Sequence, residues 1–242
     1  MILLPRLYAI LDADFFADAD ALFAAAEELV AAGVTLIQYR NKSGHARIML
    51  EQARGLKSRV SHVSQRRRDV GHPISEKTQG RRTQEEVGAP GLAAFARRGN
   101  GVRLIMNDRA DLCLAADFDG VHVGQDDLSP QSVRAIIGPD RWLGVSTHNP
   151  EQLAEADRTS ADYLAIGPVF ATSSKANPDP VVGLEGVRRA RSLTRKPLVA
   201  IGGITRANAA SVIEAGADSV AVISDLLRER GKSAEEFLRI LR

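Results

Sequence analysis

LVAIGGITRANAASVIEAGADSVAVIS, residues Leu198 to Ser224, decides the fold. Two short apolar runs, Leu198 to Ile201 and Ser219 to Val222, flank an amphipathic stretch from Arg206 to Ala215, with glycines at the junctions. An apolar strand, a helix-period segment and a second apolar strand make a crossover unit, which joins parallel strands. The same rhythm runs outward to the N-terminus. Further strands are expected at Leu7 to Leu11, Thr35 to Tyr39, Val102 to Met106, Gly120 to Val123, Trp142 to Val145 and Tyr163 to Ile166. Helices are expected at Ala19 to Ala32, Pro130 to Ile137, Glu151 to Ala156 and Gly186 to Leu193, among others. Eight such units in 242 residues predict an α/β fold, a single (β/α)8 TIM barrel over 1–242, rather than an open doubly wound sheet.

One segment breaks the rhythm. Ser58 to Pro90 combines SQRRRD and EKTQGRRTQEE with scattered Gly and Pro and almost no apolar periodicity. It reads as a long insertion after the second strand, a disordered or loosely helical surface excursion, with a lid or docking element as the alternative. It carries seven Lys or Arg against four Asp or Glu, which leaves 25 against 26 for the rest of the chain. The basic excess is therefore local, and no nucleic-acid partner is expected. The single cysteine, Cys113, excludes an intramolecular disulfide and is expected to be a small buried hydrophobe. Met1 to Leu11 lacks a secretory pattern, and no segment approaches the ~20 apolar residues of a membrane span. A cytoplasmic protein with no membrane partner is the expectation, and the sequence leaves its oligomeric state unknown.

In a barrel of this kind the active site lies beyond the C-terminal strand ends. After the second strand, Gln38-Tyr39-Arg40-Asn41-Lys42 puts an amide and two cations on alternate positions, a set suited to phosphate oxygens. After the third and fourth strands come Asn107-Asp108 and Gly124-Gln125-Asp126-Asp127. Asp108 and Asp127 can share one Mg2+ ion, which favours one or two carboxylates plus waters and phosphates. The plainer reading makes Asp108 a helix cap and Asp127 a turn cap. His122 is balanced between a structural and a chemical role, and Ser146 and His148 follow the fifth strand. After the sixth strand, Thr172-Ser173-Ser174-Lys175 is a hydroxyl-rich loop ending in a cation, able to wrap a phosphate or to serve as a plain connector. Gly202-Gly203 and Ile223-Ser224, beyond the seventh and eighth strands, match the phosphate site that many such barrels build there.

In this order, QYRNK, LIMNDRADL, DGVHVGQDDLSP, LGVSTHN, GPVFATSSK, PLVAIGGI and VAVIS resemble the thiamine phosphate synthase family from about Leu7 to Leu227, outside Ser58 to Pro90. The resemblance implies a Mg2+-dependent transferase that joins hydroxymethylpyrimidine diphosphate to thiazole phosphate with release of diphosphate. It assigns Gln38, Arg40, Lys42, Asn107, Ser146 and Lys175 to the pyrimidine diphosphate, with Tyr39, Asn41 and Ser173 counted among the substrate-binding set. Asp108 and Asp127 hold the metal; Thr172, Ser174, Gly203, Ile223 and Ser224 hold the thiazole phosphate. Arg40, Lys42, Lys175 and Ser146 are the catalytic candidates. The family usually has Thr-x-Thr where this chain has Thr172-Ser173-Ser174, which keeps the hydroxyl. The alternative is a thiazole tautomerase-like or catalytically silent phosphate-binding barrel.

Overall fold

The computed structural model describes residues 2–70, 101–172 and 179–242, with backbone only for 66–70. Its strands are β1 (Leu7–Asp12), β2 (Leu36–Arg40), β3 (Arg103–Asn107), β4 (Gly120–Val123), β5 (Trp142–Thr147), β6 (Tyr163–Ile166), β7 (Leu198–Ile201) and β8 (Ser219–Val222). They pair in chain order, all parallel, and β1 closes on β8 into a barrel. The described helices are α1 (Ala19–Ala32), α2 (Ala46–Val70), α3 (Ala110–Ala115), α4 (Pro130–Ile137), α5 (Pro150–Asp157), α6 (Gly183–Leu193), α7 (Ala209–Glu214), α8 (Ser224–Arg228) and α9 (Arg230–Ile240). The expected barrel is present, with strand ends within one or two residues of those read from the sequence.

Alternation along each strand sorts side chains into two apolar regions. Tyr8, Ile10, Leu36, Ile105, Trp142, Tyr163, Ala165, Val199 and Ala221 fill the barrel interior. Their neighbours, among them Leu7, Leu11, Ile37, Tyr39, Leu104, Val121, Leu143 and Leu164, pack outward against the helices. Cys113 lies in this outer layer, fully buried, and burial pushes its thiol up to about 12, as befits a packing residue.

Helix α2 takes up the start of the segment expected to be a disordered or loosely helical excursion. It continues without a break through 58–70, so the first part of the segment read as an insertion is helical, and Val60 is buried in the outer core. The charged run masked a helix whose apolar contacts are sparse. The remainder of that segment, 71–90, lies outside the described residues.

The N-terminal rim of the barrel is fastened by one repeated device. Asp119, Asp162 and Asp218 each precede an even strand, and each accepts the first ladder-side N–H of the strand before it, Leu104, Leu143 and Leu198, at 2.9, 2.7 and 2.8 Å. Each carboxylate also meets a cation, Lys57, Arg134 and Arg191 in turn. A backbone donor left unpaired when its acceptor is removed costs about 1–3 kcal/mol. Asp119→Ala, at the most buried of the three sites, is expected to lose about that much stability in urea unfolding while retaining turnover. Wild-type stability would show that the contact contributes nothing.

Candidate active site

A cavity of about 310 Å³ opens at the C-terminal strand ends. Its wall includes Gln38 and Arg40 from β2, Asn107 from β3, His122 from β4, Ser146 from β5, Thr172 after β6, Gly203 after β7, and Ile223 and Ser224 after β8. Eight predicted site residues from six strand ends thus converge on one space. Lys42 and Asp108 stand beside it as an ion pair linking the ends of β2 and β3.

Arg40 owes its placement to a residue the sequence reading missed. Asp12 ends β1 opposite Arg40 in the register, and its buried carboxylate forms an ion pair with the guanidinium. The signal was a carboxylate closing an otherwise apolar strand, but the partner became visible only once β1 and β2 were paired. The pair holds the guanidinium at the cavity wall before any ligand arrives.

Asp108 is no helix cap. The cap position before α3 is Arg109, whose side chain makes no capping bond, while Asp108 itself takes a left-handed conformation (φ 61°) and pairs with Lys42. Asp127 does accept the Gly124 N–H at 2.7 Å, the expected turn contact. Burial first, and then the neighbouring Asp108 carboxylate, raises the Asp127 pKa above the ordinary carboxylate range. The turn reading and the proximity to Asp108 hold together. Among the described residues no group of three His, Cys, Asp or Glu could hold a metal, so a cation here would take two carboxylates and complete its shell with water or substrate oxygens.

Tyr39 and Asn41 are corrections. Both sit on the opposite parity from Gln38, Arg40 and Lys42, and so face away from the cavity. Tyr39 is buried in the outer core and donates to Gln52 Oε1 at 2.5 Å. Asn41 donates to the same oxygen at 2.9 Å and accepts from the Ser43 N–H at 2.8 Å, which fixes the loop after β2. Ser173, Ser174 and Lys175 lie outside the described residues.

The glycine pair has a packing reason beyond any ligand. Gly202 and Gly203 both have positive φ, and a Cβ would approach Pro168 Cα to 2.6 Å at the first and Ala171 O to 2.5 Å at the second. The loop after β6 lies directly on them. Arg206, expected to begin a helix, instead precedes α7; its backbone N–H and side chain bind Asp225 at 2.9 and 3.1 Å and so hold the start of α8, where Ser224 meets the cavity. His148 lines the cavity with Nδ1 2.7 Å from the Gly167 carbonyl. The expected helix start beyond it is real: the Asn149 side chain caps α5 by accepting from Gln152 N.

The fold and this rim define a (β/α)8 barrel with a polar-lined cavity at its C-terminal face. Residues 75–226 match the family model described as thiamine monophosphate synthase. The thiamine-phosphate synthase of Koribacter versatilis is 54% identical over 98% of this chain and 96% of its own, and that of Shouchella clausii is 37% identical over 95% and 91%. Among solved structures, a thiamine phosphate pyrophosphorylase from Pyrococcus furiosus superposes with a TM-score of 0.73 at 28% identity, covering 98% of this chain and 95% of that one. The chain belongs to the thiamine monophosphate synthase family. It is a transferase of thiamine biosynthesis that acts on small molecules, and no helix among its described residues is long and apolar enough to cross a membrane.

Asp12→Asn keeps the shape of the side chain but removes the charge that orients Arg40. The expected result is a roughly tenfold fall in kcat/KM together with a measurable loss of thermal stability, because the guanidinium keeps its largely buried place without its counter-charge. Steady-state kinetics would check it, and unaltered kcat/KM would remove Asp12 from the site.

Proposed function

We propose that the cavity joins hydroxymethylpyrimidine diphosphate to thiazole phosphate, displacing diphosphate from the pyrimidine methylene. One observation carries the reading: Gln38, Arg40, Asn107 and Ser146 share a wall that is bordered by the Lys42–Asp108 pair, with Thr172, Gly203, Ile223 and Ser224 on the opposite strands. Two separated polar regions suit two phosphate-bearing substrates. Arg40, Lys42 and Ser146 bind the diphosphate, and the hydroxyls and backbone around Gly203 and Ser224 bind the thiazole phosphate. Lys175, Ser174 and Ser173, outside the described residues, are proposed to complete the enclosure from the loop after β6.

Charge supports a Mg2+ ion. Among the described residues that line or border the cavity, two cations, Arg40 and Lys42, face four carboxylates, Asp12, Asp108, Asp127 and Asp179. Burial first, and then the Asp108 carboxylate beside it, hold the Asp127 pKa up, so Asp127 carries a proton more readily than an exposed carboxylate while no cation lies between the two. An incoming diphosphate would meet net repulsion without a divalent ion. Asp108 and Asp127 would hold Mg2+, which when bound supplies charge neutralisation at the leaving diphosphate.

The protein's own residues do the rest. The electron-rich aminopyrimidine tolerates positive charge at its methylene, so the C–O bond to diphosphate breaks ahead of C–N bond formation. Arg40, Lys42 and Lys175 stabilise the charge that grows on the leaving oxygens. No protein nucleophile is needed, because the thiazole nitrogen attacks the methylene directly. The barrel holds the two reactants in line, an entropic gain that reaches ~7–11 kcal/mol in favourable cases. The lone buried thiol, Cys113, agrees with a reducing, cytoplasmic setting.

Diphosphate release by the purified protein should require both substrates and magnesium. Asp127→Asn should move the magnesium dependence of that release to concentrations about tenfold higher or more. Release in the presence of a chelator would remove magnesium from the reading, and release with either substrate omitted would replace the condensation with hydrolysis.

A further inference from the structure

The reaction above uses Ser146 as a ligand contact and leaves Tyr8, Tyr163 and His122 without a task. These side chains form a continuous hydrogen-bonded chain across the barrel interior. Gln38 Nε2 donates to the Tyr8 hydroxyl at 2.9 Å; the Tyr8 and Tyr163 hydroxyl oxygens are 3.0 Å apart. The Tyr163 hydroxyl is 3.1 Å from His122 Nδ1, and His122 Nε2 is 2.8 Å from Ser146 Oγ. Both tyrosines are buried.

Proton counting gives this chain a direction. Each hydroxyl carries one proton. Tyr8 accepts from the Gln38 amide, so its own proton passes to the Tyr163 oxygen. Tyr163 then directs its proton to Nδ1 of His122, which must be the unprotonated nitrogen. The imidazole proton therefore sits on Nε2 and is donated to Ser146 Oγ, leaving the serine proton free for the cavity. We propose that Gln38, Tyr8, Tyr163 and His122 form a one-way hydrogen-bond relay that selects the Nε2–H tautomer of His122 and makes Ser146 a donor toward an anionic substrate oxygen. The identity of that oxygen, on the diphosphate, rests on the function proposed above.

Two further observations agree. Gly144 lies between His122 and Tyr163 in the register, and a Cβ there would collide with both the tyrosine ring and His122 Nδ1. The missing side chain is the space through which the two groups meet. Burial also drives the His122 pKa down to about 4 despite the opposing pull of Asp127, so the ring is a neutral imidazole with a single proton to place. The reverse direction would turn the Gln38 carbonyl toward Tyr8 and spend the Ser146 proton on His122, presenting only lone pairs to an anion.

Tyr163 is thus a positioning residue, and its role can be read without turnover. In the full-length enzyme labelled with 15N-histidine, long-range 1H–15N spectra should show His122 protonated at Nε2, with the signal assigned by its loss in His122→Asn. Tyr163→Phe should give a mixture of the two tautomers, a kcat about tenfold lower, and KM for both substrates within about twofold of wild type. Added to Ser146→Ala, the same change should cost almost nothing more, because the group it orients is gone. If Tyr163→Phe does not fold, Tyr8→Phe serves the same comparison. A wild-type His122 protonated at Nδ1 overturns the proposal, as does a folded variant with unchanged tautomer and kcat. The tautomer is measured without substrates, so its failure is distinct from failure of the synthase reading, which appears as absence of product.

Discussion

Alternation along a closed set of parallel strands is the constraint on which the rest of this structure depends. Closure leaves only two environments for a strand side chain, the narrow interior and the layer beneath the helices. On β2 this puts Gln38 and Arg40 into the cavity wall and sends Tyr39 into the outer core. A one-residue slip would reverse every assignment and bury a guanidinium under α2. The register between β1 and β2, which sets Asp12 against Arg40, therefore serves folding and ligand binding through the same contact.

The two rims use the same residue type for different ends. At the N-terminal rim, Asp119, Asp162 and Asp218 accept strand N–H groups and meet cations on the same carboxylate oxygen, so each has its charge answered within the protein. At the other rim, Asp127 accepts one N–H and otherwise faces a second carboxylate, which raises its pKa. A carboxylate answered by the scaffold stabilises the fold; one answered incompletely is held ready for something else. The separation follows the general division of such barrels into a stability face and a chemical face.

How much could be read beforehand follows from distance along the chain. The strands and the polar residues just beyond each strand depend on neighbours within a few positions, and these were legible. Asp12 with Arg40, Arg206 with Asp225, and the Tyr8–Tyr163 contact join residues far apart in sequence, and only barrel closure brings them together. The Tyr39 and Asn41 assignments failed for a different reason: a contiguous motif was taken whole, although the period of a strand splits it between two faces. The start of the segment from Ser58 was read as a surface excursion because its charged run hides the few apolar contacts, Val60 among them, that keep α2 on the barrel.

The interior also explains how a strongly charged rim can work so close to the core. Beneath Arg40, Lys42 and the acidic residues lies a floor of Trp142, Ile105, Leu36 and the two tyrosines, with every polar group of the relay paired inside it. His122, the only imidazole in that floor, is neutral because a buried imidazolium would go unsolvated. A floor without formal charge and built largely of apolar side chains offers no counter-charge and little dielectric screening, so the rim charges act more strongly on a ligand than they would in water. Rigidity contributes in the same direction. A floor of interlocked hydrogen bonds cannot reorient as charge moves, and dipoles already aligned need not be turned when a leaving group departs.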